Sequence, residues 1–202
     1  QLAKELVKND IKINSDSDTE VVLKWLVFKG ISDGIKDLNG MFAIALYCHE
    51  DKKLYLLRDR MGIKPLYYTH NQNGLFFSSE LDSLTSFDDV NKKLNQEALE
   101  QYFYFGYPVV PNTMYEDIYE QRPGTILEYS LLDRHIIESR YWSVDNYERD
   151  YKGTYEEAVD ELDRLLQTVI NDQVISDVGY GAFLSGGIDS SLITSMVSKV
   201  KN

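Results

Sequence analysis

The sequence is poor in cysteine and has no net positive charge and no long apolar run. Its single cysteine, Cys48, cannot form a disulfide within the chain, which is typical of a reducing compartment and predicts a cytoplasmic location. No apolar run is long enough to cross a bilayer. The stretch LAKELVK after Gln1 predicts a short amphipathic helix rather than a signal peptide. We therefore expect no membrane partner.

The charge balance excludes another class of partner. The chain has 33 acidic and 21 basic residues, a net charge of -12. Such a surface repels phosphate backbones, so we expect no nucleic-acid partner. The 202 residues, 43% of them hydrophobic, can bury one large core or one core with part of a second.

The first half of the sequence predicts helices followed by antiparallel hairpins. A second helix is predicted over TEVVLKWLVFKG, with Ser17 as its N-cap, Glu20 as the capping-box partner and Gly30 as its end. Alternating apolar residues then predict one hairpin from MFAIALYCHE and KLYLLRDR, and a second from PLYYTH and LFFSSE. A helix over NQEALEQYFYFGY and two extended segments, GTILEYSLLD and HIIESRYWSV, complete this α+β unit.

The last third has a different pattern. A polar, charged stretch around DNYERDYKG predicts an interdomain linker over 143–153. An amphipathic helix follows in TYEEAVDELDRLLQTVINDQVI, and then a strand over Ala182–Leu184, a glycine turn and a new helix. Helix, strand, turn and helix in this order predict the start of a doubly wound α/β domain with a parallel sheet.

The turn in YGAFLSGGIDSSL can bind a phosphate group. Gly186 and Gly187 allow close approach of a ligand to the unpaired N–H groups at the start of the helix. Hydroxyl donors are added by Ser185, Ser190 and Ser191. The turn lacks the Gly-Lys-Ser/Thr ending of a Walker loop, so the sequence does not indicate transfer of a γ-phosphate.

Asp189 is the unexpected member of this turn. A carboxylate beside phosphate oxygens is repelled unless a cation lies between them, and Mg²⁺ prefers oxygen ligands. The alternative is a structural turn in which Asp189 is only a favourable charge in the first turn of the helix.

The motif LSGGIDSS resembles the pyrophosphate loop of the N-type ATP pyrophosphatases. The segments SDTEVVL, LNGMFAIALY, LYLLRDRMGIKPLYY and FFSSELDSL resemble, in the same order, the later part of the glutaminase domain of glutamine-hydrolysing asparagine synthetases. The resemblance covers nearly the whole chain and is poorest in motifs from about 95 to 151. It implies an N-terminally truncated Ntn-hydrolase-like glutaminase domain over 1–142 and the truncated start of an ATP pyrophosphatase domain over 154–202.

The resemblance implies a reaction and its ligands. In this family one domain releases ammonia from glutamine, and the other uses ATP and Mg²⁺ to adenylate a carboxylate, aspartate in the synthetases, which the ammonia attacks to give asparagine. By position in the motif, the residues expected to bind ATP and its pyrophosphate are Leu184, Ser185, Gly186, Gly187, Asp189 and Ser190. Asp189 is also the expected Mg²⁺ ligand. Family members are often dimers, so a homodimer is compatible with the resemblance.

Two residues of the first half acquire roles from the same resemblance. Asp18, in SDTE, matches the carboxylate that binds the α-ammonium group of glutamine, and the alternative from local sequence is a charge or cap at a helix start. Met41, in GMF, matches a residue on the ammonia route, and the alternative is a buried core methionine. RDR at Arg58–Arg60 is interpreted as a charged turn rather than a catalytic cluster.

The family's catalytic cysteine stands at the mature N-terminus, and no residue of this sequence matches it. Cys48 lies at the end of a strand, where a half-buried structural role is expected. We therefore expect no catalytic residue in the chain and no glutamine hydrolysis or amide synthesis by the chain alone.

Two further hypotheses remain open. One keeps the chemistry but changes the acceptor to another carboxylate, such as a sugar acid or a secondary metabolite. The other is a non-catalytic relative that binds nucleotide or amino acid. The presence of Asp189 favours an enzyme over a non-catalytic relative, because simple nucleotide binding does not need a carboxylate that faces magnesium.

Overall fold

The computed structural model describes residues 1–147, 151–175 and 178–200 of the chain. The chain divides into two compact units, Gln1–Tyr147 and Glu148–Asn202. Part of the predicted linker over 143–153 lies outside the described residues, and the predicted domain boundaries stay predictions. Within the described ranges, no helix is both long and apolar enough to span a membrane.

The first unit is built from five helices and seven strands among its described residues. The helices are α1 Leu2–Lys8, α2 Asp18–Lys29, α3 Ile31–Gly34, α4 Leu81–Thr85 and α5 Gln96–Phe105. Short 3₁₀ turns occupy Ile35–Asp37 and Val144–Asn146. The strands are β1 Ala43–Cys48, β2 Lys53–Arg58, β3 Tyr67–Asn71, β4 Gly74–Ser78, β5 Ile118–Glu120, β6 Thr125–Ser130 and β7 Ile136–Arg140.

The strands form two antiparallel sheets. The first has the order β1-β2-β6-β7 and the second has the order β4-β3-β5. Both predicted hairpins form, with their turns between β1 and β2 and between β3 and β4. The expected α+β architecture with antiparallel sheets is therefore confirmed.

Adjacent leucines of β2 explain how the layers stack. Leu57 belongs to a core cluster with Leu6 of α1 and Trp25 of α2, whereas Leu56 clusters with Leu127 of β6 and partly buried residues of the second sheet. Neighbouring side chains of a strand point to opposite faces. The first sheet therefore packs against helices on one face and against the second sheet on the other.

Two short elements were not predicted. The helix α4 is five residues long, and its Leu84 is buried beside Val90 and Ile118. The strand β5 has three residues and follows a proline-rich stretch. Elements of this length show too few periods for a pattern. They form here through tertiary contacts, since α4 packs Leu84 against the second sheet and β5 pairs with β3 as an edge strand of that sheet.

The start of α2 differs from the prediction. Ser17 is the N-cap residue, but its side chain makes no cap hydrogen bond. The Glu20 carboxylate instead accepts from the backbone nitrogens of Asn14 and Ser15 at 2.9 and 2.8 Å. The predicted capping box is wrong because Glu20 reaches back to this loop rather than to the backbone nitrogen of Ser17.

The second unit contains two described helices, α6 Tyr155–Gln173 and α7 Ile188–Val197. Thr154 and Glu157 form a complete capping box at the start of α6. The strand expected over Ala182–Leu184 does not form in the described part of this unit. A parallel strand needs a hydrogen-bonded neighbour, and no described residue pairs with this segment. The parallel sheet itself stays a prediction.

Candidate functional site

A groove lies between α2 and β1 in the first unit. Its volume is about 390 Å³. Its walls are formed by Asp18, Thr19, Val22, Leu23, Leu26, Phe42, Ile44, Ala45, Leu46 and Tyr47. Apart from the phenol of Tyr47, the polar side chains of this wall are Asp18 and Thr19, which are adjacent at the start of α2. The groove therefore suits a ligand with one cationic end and a small apolar body.

Asp18 is the first residue of α2 and is exposed. Its Oδ1 accepts a long hydrogen bond of 3.4 Å from the Thr19 hydroxyl. The structure therefore places Asp18 inside the helix rather than at the capping position, with its carboxylate available to the groove. A negative charge here is stabilised by the N–H groups at the helix start.

Glu20 fixes the helix start that carries Asp18. Besides the two loop nitrogens, its carboxylate accepts from the Ser15 hydroxyl at 2.5 Å and from Lys24 Nζ at 2.5 Å. The Lys24 ammonium, the Ser15 hydroxyl and the Asn14 N–H together lower the pKa of Glu20 from 4.5 to about 2. Glu20 is therefore an anion at neutral pH and ties the loop before α2 to the helix.

Met41 and Phe42 lead into β1 at the other wall of the groove. Met41 is 44% exposed, so the alternative interpretation as a buried core methionine is wrong. The next residue, Phe42, lines the groove. Its backbone is bound twice to Asp59, because Phe42 N donates to Asp59 Oδ2 at 3.2 Å and Asp59 N donates to Phe42 O at 3.0 Å.

The second candidate site is the turn before α7. Gly186 has a φ of +85°, a backbone conformation that residues other than glycine rarely adopt. Gly187 is the N-cap residue, and no side chain caps the helix within the described residues. The first N–H groups of α7 are thus left for solvent or for an anionic ligand.

Hydroxyl groups converge on this turn. The Ser185 and Ser190 oxygens lie 3.0 Å apart, and Ser190 and Ser191 both donate to Gly187 O, at 3.1 and 2.7 Å. A Cβ at Gly187 would lie 3.7 Å from the Ser185 hydroxyl, so the missing side chain leaves this space open. The arrangement fits the oxygens of a phosphate or pyrophosphate.

Asp189 and Leu184 flank the turn. Asp189 lies in the first turn of α7 and is exposed, and Leu184, just before the serine, is 63% exposed. Residues 1–147, 151–175 and 178–200 hold no group of three His, Cys, Asp or Glu side chains that could bind a metal. A Mg²⁺ ion that accompanies phosphates needs few protein ligands, so one carboxylate beside the turn fits such an ion.

Comparison with known proteins decides the family of the chain. Residues 1–142 match the family model described as a glutamine amidotransferase domain. The chain belongs to the glutamine amidotransferase domain family. Residues 161–202 match the model described as asparagine synthase, and the resemblance found in the sequence is confirmed.

Several relatives of this chain have synthetase names. It is 34% identical, over 94% of this chain and 37% of the other, to a Methanocaldococcus jannaschii protein named as an asparagine synthetase [glutamine-hydrolyzing]. It is 32% identical, over 98% of this chain and 31% of the other, to asparagine synthetase [glutamine-hydrolyzing] 3 of Bacillus subtilis. The chain spans about a third of the length of these relatives.

Among solved structures, the chain is similar to glutamine phosphoribosylpyrophosphate amidotransferase from B. subtilis. The TM-score is 0.49, the identity is 16%, and the match covers 99% of this chain and 41% of the other.

The expected site residues fall into two groups, one in each unit. Asp18 lies on the groove, and Met41 directly precedes a groove residue. Ser185, Gly186, Gly187, Asp189 and Ser190 surround one turn. Sequence reasoning missed Asp59, which binds the Phe42 backbone. An aspartate just before a glycine-containing turn was the available signal, because such carboxylates accept from backbone N–H groups nearby.

Proposed function

We propose that the protein containing this chain is a glutamine-dependent, ATP-dependent amide ligase that makes asparagine from aspartate. One observation carries the proposal: an amidotransferase fold with an acid-ended groove is followed in the same chain by a hydroxyl-lined glycine turn at an uncapped helix. ATP would supply the activation of the acceptor carboxylate.

The groove is proposed as part of the glutamine site. The carboxylate of Asp18 would pair with the α-ammonium group, a charge-assisted contact that fixes which end of the substrate faces the helix start. The apolar wall of Val22, Leu26 and Ile44 would contact the methylene groups. Met41 would line the route by which neutral ammonia leaves the site.

The turn before α7 is proposed as the site for ATP. The hydroxyls of Ser185 and Ser190 and the backbone at Gly186 and Gly187 would bind the pyrophosphate portion, and Leu184 would contact the nucleotide. Asp189 would orient Mg²⁺ bound to the phosphate oxygens. These residues stabilise negative charge as it develops on the leaving group.

Pyrophosphate release by the full protein tests the proposal. The protein is incubated with ATP, Mg²⁺ and a panel of carboxylates, with glutamine or ammonia as nitrogen donor. We expect pyrophosphate release that depends on aspartate, with asparagine as the product from both donors. Release that depends on another carboxylate would change the acceptor, and no carboxylate-dependent release at all would contradict ligase function.

A further inference from the structure

Asp59 is a buried carboxylate to which the proposed function gives no role. It is 1% exposed. Its Oδ2 accepts from Phe42 N at 3.2 Å and Lys64 N at 3.0 Å, and its Oδ1 accepts from Met61 N at 3.1 Å and Ile63 N at 3.0 Å. A carboxylate has about four lone-pair sites, so this one is saturated by backbone donors alone.

The hydrogen bonds between Asp59 and Phe42 lie just beyond the end of the β1–β2 ladder. The paired register of β1 and β2 stops at Ala43 and Arg58. Asp59 N donates to Phe42 O and extends the ladder by one bond, and the Asp59 carboxylate then receives the Phe42 N–H. Both backbone polar groups of Phe42, the residue that enters the groove wall, are therefore fixed by one aspartate.

The same carboxylate organises a second segment. It binds three N–H groups of the turn Met61–Lys64, whose Met61 and Ile63 side chains are 68% and 56% exposed. Because one carboxylate contacts both backbones, this turn and the Met41–Phe42 segment are neighbours. A shift of the carboxylate would displace both.

Asp59 is charged in this position. Burial raises the pKa of Asp59, but the hydrogen bonds from Lys64, Ile63, Phe42 and Met61 outweigh burial, and its pKa lies below its usual value. An anion is the best acceptor for four N–H donors.

We propose that Asp59 is a positioning residue for glutamine use, because it holds Met41 and Phe42 at the groove and ties them to the turn Met61–Lys64. The inference rests on the proposed function, since it takes the groove as the glutamine site. Asp59 touches no substrate itself. It acts through the backbone of Phe42.

The replacement Asp59→Asn in the full protein tests this role. An amide presents one oxygen and one NH₂ group, so either Phe42 and Lys64 or Met61 and Ile63 would face a donor instead of an acceptor. We expect the KM for glutamine to rise about tenfold, equivalent to about 1.4 kcal/mol, in glutamine-dependent asparagine synthesis. The kcat with ammonia as donor should stay unchanged, a separation that a general folding defect would not produce.

A matched control is Asp133→Asn in the β6–β7 turn. Asp133 also accepts from a backbone N–H, that of His135 at 3.2 Å, but it does not line the groove. The KM for glutamine should be unaffected in this variant. If Asp59→Asn does not fold, the α-hydroxy acid analogue of phenylalanine at position 42 removes the N–H donor to Asp59 and keeps the Phe42 side chain, and its KM for glutamine decides the question.

The possible outcomes distinguish a failure of this inference from a failure of the proposed function. A wild type that uses ammonia but not glutamine would overturn the proposed glutaminase function and the inference with it. The inference alone would be overturned if the wild type uses glutamine and the KM for glutamine is unchanged in Asp59→Asn or in the position-42 analogue. Equal losses with glutamine and ammonia would also overturn it.

Discussion

Arg58 Nη2 lies 2.6 Å from Glu120 Oε1 and joins the end of β2 in the first sheet to the end of β5 in the second. The Arg58 side chain is 3% exposed, and its guanidinium also donates to three backbone carbonyls, those of Gly62, Lys64 and Gln121. One side chain thus supplies hydrogen-bond donors both to the turn after β2 and to the end of β5 in the other sheet. The interpretation of RDR as a charged turn does not account for Arg58, which is the last residue of β2, or for the burial of Arg58 and Asp59.

Replacement of Arg58 by alanine should destabilise the chain strongly. It would leave the Glu120 carboxylate and three carbonyls without their donor at the place where the Arg58 side chain is buried. Breaking a buried ion pair by removing one partner typically costs about 3 kcal/mol or more of the free energy of unfolding. Urea-induced unfolding followed by tryptophan fluorescence measures the loss.

The control for Arg58 is Arg122→Ala. Arg122 pairs with Glu138 at 3.0 Å, but its side chain is 43% exposed. An exposed pair contributes about 1 kcal/mol or less. Similar losses in the two variants would show that Arg58 does not act as a buried link between the sheets.

Gly124 should tolerate no side chain. Its φ is +65°, and a Cβ there would lie 2.6 Å from the carbonyl oxygen of Trp142. Gly124→Ala combines the left-handed conformation with overpacking against backbone, and we expect it to cost about 3 kcal/mol of the free energy of unfolding. Thermal and urea unfolding measure this difference.

The same replacement at Gly106 measures the cost of the left-handed backbone conformation alone. Gly106 ends α5 with a φ of +84°, and a Cβ there would have no neighbour within 4 Å. Gly106→Ala should therefore cost only about 1 kcal/mol. If Gly124→Ala costs no more than Gly106→Ala, the contact with Trp142 is not a constraint.

The sequence predicted what depends on local periodicity and missed what depends on tertiary contacts. The hairpins of β1 with β2 and β3 with β4 followed from alternating apolar residues, and α6 followed from its apolar stripe. The failed capping box at Glu20 and the unpredicted β5 have a common cause. Each depends on a hydrogen-bond partner that the local pattern does not indicate: the loop before α2 for Glu20, and β3 for β5.

The candidate site shows the same division. The turn Ser185–Ser190 could be interpreted from adjacent residues, because glycines and hydroxyls act there within one turn. The groove could not, because its walls come from α2 and β1, and Phe42 in its wall is hydrogen-bonded to Asp59, 17 residues away in the sequence. The predicted hairpin places the two residues on neighbouring strands, but the sequence pattern does not show which side-chain and backbone groups form hydrogen bonds.

Ser190 should matter for ATP use in the full protein. Its hydroxyl lies 3.0 Å from that of Ser185, so Ser190→Ala would remove one donor from the turn and one partner of a second donor. We expect kcat/KM for ATP, measured as pyrophosphate release, to fall about tenfold or more.

Ser198→Ala is the matched control for this change. Ser198 follows the last residue of the same helix, and its hydroxyl donates to Ser195 O at 2.7 Å. Pyrophosphate release should be unchanged in this variant. Equal effects at the two positions would contradict a phosphate-binding role for the turn before α7.

Glu20→Gln should make the free energy of unfolding less dependent on pH. The pKa of Glu20 is lowered from 4.5 to about 2 by Lys24, Ser15 and Asn14, so its stabilising contribution is fully present above pH 4.5 and is lost as pH falls toward 2. In urea unfolding series, the difference between wild type and Glu20→Gln should be constant from pH 7 to 5 and should shrink at lower pH. A difference that stays constant down to pH 2 would show that the Glu20 charge does not hold the helix start that presents Asp18 to the groove.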